Sequence, residues 1–268
     1  MKLLLTSMGI IGVRENGVKV DAYLNEKNGF VDRVKELLTT NDTFVFIASD
    51  KLDFEHNDMS CNLNIKAFNK HGITFKNSVV IDDRNKDDIE RYLACASLIF
   101  LQGGDVAEEN LFFKEIDLKN KLINTGAIDH SLIIGQSAGS MNLGHIVYVF
   151  PDLDAKRDDY PKFIKGLGFS VSDIIPHYDI EKGNAFIQYN INLIDDYFIP
   201  DSVNMTFYAL LDGSYICVND KNETVYGESY LIQNGKISKL CNNDDYKVIV
   251  NNKDEKVNNI DTSMCEDF

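Results

Sequence analysis

The sequence predicts an α/β fold, a mostly parallel sheet covered by helices on both faces, and three observations predict it. Short apolar runs alternate with amphipathic stretches through the first two-thirds of the 268 residues. The runs carry the β-branched and aromatic residues of buried strands. A Gly-x-Ser-x-Gly pentapeptide at 135–139 stands between one such run and a helical stretch, as a strand-to-helix turn requires. Right-handed crossovers are the default way to join strands in this order.

Residues 2–7 and 43–50 read as strands. Between them, residues 29–38 space Phe30, Val31, Val34, Leu37 and Leu38 at helical intervals. Residues 62–71 repeat that pattern, and Gly72 is placed to stop it. Residues 77–82 form the next strand and 86–96 a helix, with Asp87 and Asp88 in the first turn, where carboxylates favour the helix dipole. Strand character resumes at 98–101 and ends in Gln102-Gly103-Gly104-Asp105. A third helix is expected over 106–122, and a strand over 132–135 runs into Ser137.

After Pro151 the pattern changes. Residues 152–161 read as a charged loop, 173–177 as a short strand and 184–198 as a helix. Residues 206–218 and 224–237 then read as antiparallel strands, with Asp212-Gly213 and Asn234-Gly235 as turns. There is no internal repeat. A single domain over 1–250 and a polar, acidic tail over 251–268 are expected.

Composition narrows the partners. A formal net charge of −15 repels phosphate backbones and anionic lipid, which argues against nucleic acid and membrane surfaces. The apolar run at the amino terminus is too short for a signal-peptide core or a membrane span. The five cysteines are odd in number and widely spaced, with no Cys-x-x-Cys pair, so neither a disulfide framework nor a zinc site is expected. The expectation is a cytoplasmic protein in a reducing compartment.

Chemistry concentrates at Gly135-Gln136-Ser137-Ala138-Gly139. Small neighbours allow a tight turn that strains the serine backbone and lifts its hydroxyl clear of the sheet. The helix that follows aims N–H groups at the reacting centre. A serine hydroxyl needs a base, and the chain has five histidines. His56 and His71 lie on polar early segments, His130 in a loop, and His145 too soon after Ser137 to point back at it. His177, at a strand end just after Pro176, remains. A carboxylate should orient its ring, and Asp179, Asp212 and Asp152 are candidates. At 102–105 the glycines let backbone approach a bound carbonyl, so that a free N–H joins that of Ala138 in an oxyanion hole. Gly103 and Asp105 are candidate substrate contacts there.

These motifs, with Gly-Leu-Gly at 166–168, Ile-Pro-His-Tyr at 175–178 and Leu-Leu-Asp-Gly-Ser at 210–214, resemble in order those of peptidase family S51, which holds dipeptidase E and cyanophycinase. The resemblance covers about residues 1–237. It implies the three-layer α/β/α sandwich of class I glutamine amidotransferases, with serine in place of their cysteine. The order Ser137 then His177, with a long strand-forming segment still to follow, supports this over an ordinary α/β-hydrolase.

By resemblance, Ser137 is the nucleophile of a peptidase acting through an acyl-enzyme, His177 the general base, and Gly104 with Ala138 the oxyanion donors. The family pattern gives Asp152 or Asp212 as the third member. Asp212 is preferred because a carboxylate following a strand is held more rigidly. The implied substrate is a short peptide, with no metal and no cofactor, on a monomer or homodimer. An ester or a non-peptide amide would suit the same residues, and a chain with a broken triad would be a binding module. Residues 179–184 contain no arginine to pair with a substrate carboxylate, and Val106 and Ala107 stand where cyanophycinase carries a glutamine, so neither family specificity transfers.

Overall fold

In the computed structural model, which describes residues 1–149, 161–179, 193–250 and 262–265, the chain opens with β1 (Lys2–Thr6) and a hairpin of β2 (Ile10–Glu15) and β3 (Val18–Leu24). Then come α1 (Phe30–Leu37), β4 (Thr43–Ile47), α2 (Phe54–Lys70), β5 (Asn77–Ile81), α3 (Ile89–Leu93) and β6 (Ala96–Leu101). Three helices, α4 (Val106–Glu115), α5 (Leu118–Asn124) and α6 (Ala127–His130), lead to β7 (Leu132–Gln136) and the short α7 (Ala138–Met141). Beyond it lie β8 (Ile146–Tyr148), β9 (Phe163–Lys165) and β10 (Asp173–Ile175). The last strands are β11 (Thr206–Leu210), β12 (Tyr215–Asn219), β13 (Asn222–Tyr226), β14 (Ser229–Gln233), β15 (Lys236–Cys241) and β16 (Tyr246–Val250).

Eight of these strands form the central sheet, in the order β16-β13-β12-β1-β7-β6-β4-β5. From β1 to β5 every pairing is parallel, and antiparallel β12, β13 and β16 extend the other side. Side-chain alternation splits the core in two. Leu3, Leu5, Val45, Ile47, Ile99 and Ile133 face α3, α4, α5 and α7. Leu4, Phe44, Phe46, Phe100 and Ile134 face α1 and α2. The result is a mixed α/β molecule with helices on both faces of a large, mostly parallel sheet. A second sheet, β10-β11-β14-β15, packs around its own core of Tyr148, Ile175, Phe198, Phe207 and Ile232.

Several expectations change in detail. The helix expected over 106–122 is broken at Asp117, whose φ of 51 is left-handed. α2 begins at Phe54, capped by the Asp53 side chain on the His56 N–H, so His56 is helical. His130 ends α6 rather than lying in a loop. The segment 86–96 is a 3-10 turn, a short helix and the first residue of β6. Asp212-Gly213 is not a hairpin turn: β11 and β12, on either side of it, belong to different sheets. The run at 224–237 likewise divides between the two sheets, as β13 and β14 with the start of β15. Asn234-Gly235 does close a hairpin, both residues at positive φ, as the Gln233–Lys236 pairing requires. Residues 152–160 and 184–192 lie outside the described residues, as does most of the tail.

Cys61, Cys217 and Cys241 are buried, and none of the five cysteines is in a disulfide. Burial pushes Cys61 up to about 12 and Cys217 up to about 11, so both are packing groups rather than nucleophiles. No helix among the described residues is long and apolar enough to cross a membrane.

Candidate active site

The end of β7 delivers Ser137 into the turn before α7. Its φ of 54 and ψ of −116 are a conformation that side chains rarely adopt, at a cost of about 1–3 kcal/mol. Neighbouring backbone holds it there. The Ser137 N–H donates to Thr6 C=O at 3.0 Å, and the Ser140 and Met141 N–H groups donate to Ser137 C=O at 3.0 and 3.1 Å. Ser140 Oγ also donates to Thr6 C=O at 2.9 Å and accepts the Thr6 N–H at 2.8 Å, locking the first turn of α7 to β1.

Two glycines make the turn possible by close approach. A Cβ on Gly139 would lie 2.5 Å from Leu101 C=O, and one on Gly103 would lie 2.8 Å from Gln136 C=O and 3.0 Å from Ser137 Cβ. The Gly103 backbone therefore lies directly against the serine. Ala138 opens α7, so its N–H has no intrahelical partner. Asp105 Oδ1 accepts the Ala107 and Glu108 N–H groups at 2.9 and 3.0 Å, which makes it the N-cap of α4.

His177 arrives from the other sheet. It follows β10, stands at a φ of 56, and is exposed. Its Nε2 is 2.9 Å from Ser137 Oγ and its Nδ1 is 2.7 Å from Asp212 Oδ1. Asp212 sits where the chain crosses from β11 to β12, so its carboxylate faces both sheets. Burial would raise its carboxyl. The hydrogen bond and charge of His177, the Ser7 hydroxyl and the charge of Lys27 outweigh that and hold it below the usual carboxylate range. An ionised carboxylate can only accept, so Nδ1 carries the ring proton and Nε2 is free to accept from Ser137.

The structure thus brings Ser137, His177 and Asp212 together, with Gly103 and Ala138 beside the serine, and Gly104 lies against Ser49. Asp152 lies outside the described residues, and the His177 ring bonds to Asp212 rather than to Asp179. His145 points away, its Nδ1 2.7 Å from Ser170 C=O. Sequence reasoning missed Ser7, whose Oγ lies 2.8 Å from Asp212 Oδ1 and 2.7 Å from the His177 N. A serine ending a first strand gives no signal of partners 170 and 205 positions away.

A cavity of about 290 Å³ opens between the loop Ser49, Asp50, Lys51 and α4, with Asp105, Glu108 and Phe112 in its wall. Ser49, in its lining, lies against Gly104. Among the described residues no three His, Cys, Asp or Glu side chains are grouped to hold a metal ion.

A hydroxyl on a strained strand-to-helix turn, in line with an imidazole and a carboxylate over a parallel sheet, defines the class of serine hydrolases. The comparisons narrow the class: the model of peptidase family S51 matches residues 19–225, and the chain belongs to that family. It is a peptidase. The fold is similar to that of a peptidase from an acI-B1 Actinobacterium, with a TM-score of 0.61 and 15% identity over 89% of this chain and 93% of that one. It is also similar to a putative peptidase E protein from Listeria monocytogenes EGD-e, with a TM-score of 0.55 and 15% identity over 89% of this chain and 98% of that one. At such identity the likeness speaks for the fold alone. No curated protein matches the chain.

Proposed function

We propose that the chain hydrolyses short peptides, dipeptides among them, through an acyl-enzyme on Ser137. Ser137 Oγ attacks the scissile carbonyl carbon while its proton passes to His177 Nε2. The carbonyl oxygen becomes an oxyanion held by the N–H groups of Gly104 and Ala138. The C–N bond then breaks, and the imidazolium returns the proton to the leaving amine. Water, deprotonated by the same imidazole, releases the acid and restores the serine. Asp212 keeps the ring in the reactive tautomer and stabilises its positive charge. Gly103 lines the approach to the serine, and the cavity beside Asp105 takes a substrate side chain.

One observation carries this reading: the 2.9 Å contact from Ser137 Oγ to His177 Nε2, on a ring whose other nitrogen meets Asp212 at 2.7 Å. The acidic surface and the solvent-open setting of His177 suit a small soluble substrate. The test combines a fluorophosphonate probe with a dipeptide panel and aryl esters. Labelling at Ser137 and turnover of dipeptides are expected. Ester turnover without any peptide turnover would move the substrate class, and absence of both labelling and turnover would overturn the reading.

A further inference from the structure

The three side chains of the site come from different parts of the fold. Ser137 belongs to the central sheet, His177 to the end of the four-stranded sheet, and Asp212 to the crossing between them. Their alignment depends on what joins the two sheets at this point, and that joint is the end of β1. Thr6 C=O accepts the Ser137 N–H at 3.0 Å, and the Ser7 N–H donates to Ser214 C=O at 3.2 Å, two residues past Asp212. The Ser7 hydroxyl makes the remaining connections, 2.7 Å from the His177 N and 2.8 Å from Asp212 Oδ1.

Donor counting fixes the direction of those bonds. A backbone N–H can only donate, so Ser7 Oγ accepts from His177. The ionised carboxylate can only accept, so the single O–H proton of Ser7 points to Asp212. Ser7 is fully buried, and water does not compete for either bond. Both partners need holding. The His177 backbone sits in the left-handed region, which is strained for a residue with a Cβ, and Asp212 is about half exposed at its side chain.

We infer that Ser7 is a positioning residue of this site: its hydroxyl fixes the His177 backbone and the Asp212 carboxylate in the geometry that brings the imidazole to Ser137. The inference rests on the proposed function. Ser7 is fully buried beneath the site, out of reach of substrate. It acts by setting where the ring stands and which carboxylate oxygen the ring meets, since Asp212 Oδ1 accepts from both Ser7 and His177.

The test is Ser7→Ala in the full chain, read by the rate of fluorophosphonate labelling. In that step the Ser137 Oγ–P bond forms as the P–F bond breaks, fluoride leaves, and the hydroxyl proton passes to His177 Nε2. The maximal labelling rate is expected to fall about 10–100-fold, with the half-saturating probe concentration unchanged, because orientation is lost and probe binding is not. The acid limb of the rate profile is expected to move to higher pH, because the Ser7 hydroxyl helps hold the Asp212 carboxyl low and its loss makes that carboxyl harder to ionise. A merely structural role would move neither the rate at saturation nor the limb.

A thermal melt establishes that the variant is folded. If Ser7→Ala does not fold at the assay temperature, Ser7→Cys carries the same comparison, keeping the size of the side chain and only a weak donor. A wild-type chain that labels while the folded variant labels equally fast, with the same acid limb, overturns this inference alone. A wild-type chain that does not label removes both the inference and the reading beneath it.

Discussion

The Ser137 N–H donates to Thr6 C=O at 3.0 Å, so the strained turn is tied to β1, the strand beside its own. Because β1 also ends against His177 and Asp212 through Ser7, movement of the turn relative to β1 moves the serine away from its base.

The first prediction concerns Gly139. A methyl group there would sit 2.5 Å from Leu101 C=O and 2.8 Å from Gln102 C=O, both backbone atoms that no rotamer change can clear. Gly139→Ala is expected to cost about 1–3 kcal/mol of stability and to lower turnover more than it raises KM. Urea unfolding and steady-state kinetics on the same preparation check it.

The second concerns Asp212. Asn can keep the shape of the side chain while removing the charge and offering an amide donor to Nδ1, which favours the wrong ring tautomer. Asp212→Asn is therefore expected to lower kcat by about 10³–10⁴-fold with little change in KM. Because the folded carboxyl is held below its usual value, its contribution to stability is present above that value and lost as pH falls through the folded one. Melting temperatures of wild type and variant should converge in strong acid, and a constant gap across pH would contradict the argument.

A third prediction comes from Asp173, the first residue of β10. Burial, opposed by a hydrogen bond from the Ile146 N–H and reinforced by the charge of Glu223, pushes its carboxyl up to about 7. A raised acid binds its proton more tightly in the folded chain, so its contribution to stability is full below the unfolded value and lost as pH rises toward 7. Asp173→Asn keeps an acceptor for Ile146 and has no charge to bury. The variant should match wild type near pH 4 and melt higher at pH 7 and above, by about 2–4 °C for each kcal/mol gained. Calorimetry across that range decides it.

Much of the architecture is legible in the residues. The unbroken apolar runs Leu3, Leu4, Leu5 and Phe44, Val45, Phe46, Ile47 state in advance that these strands are covered on both faces. The glycines at 135 and 139 and the serine between them announce a turn that only small residues allow. What the sequence hides is long-range. Asp212-Gly213 has the chemistry of a hairpin turn, but the strands around it pair with β1 and β14 rather than with each other, and local propensity carries no information about that choice. No sequence-based expectation covers the hairpin of β2 and β3, although Asn16-Gly17, both at positive φ, is a strong local signal for it. Ser7 belongs to the long-range group.

The fourth prediction bears most directly on the central claim, that Ser137 and His177 act as one unit. It compares Ser137→Ala, His177→Ala and the double variant on the best peptide of the panel. Groups that serve a single proton-transfer step are not additive. Each single variant is expected to lower kcat/KM by about 10³-fold or more, with the double variant no worse than the poorer single one. A double variant whose loss equals the product of the two single losses, or a Ser137→Ala chain that turns over peptide at the wild-type rate, would contradict the account.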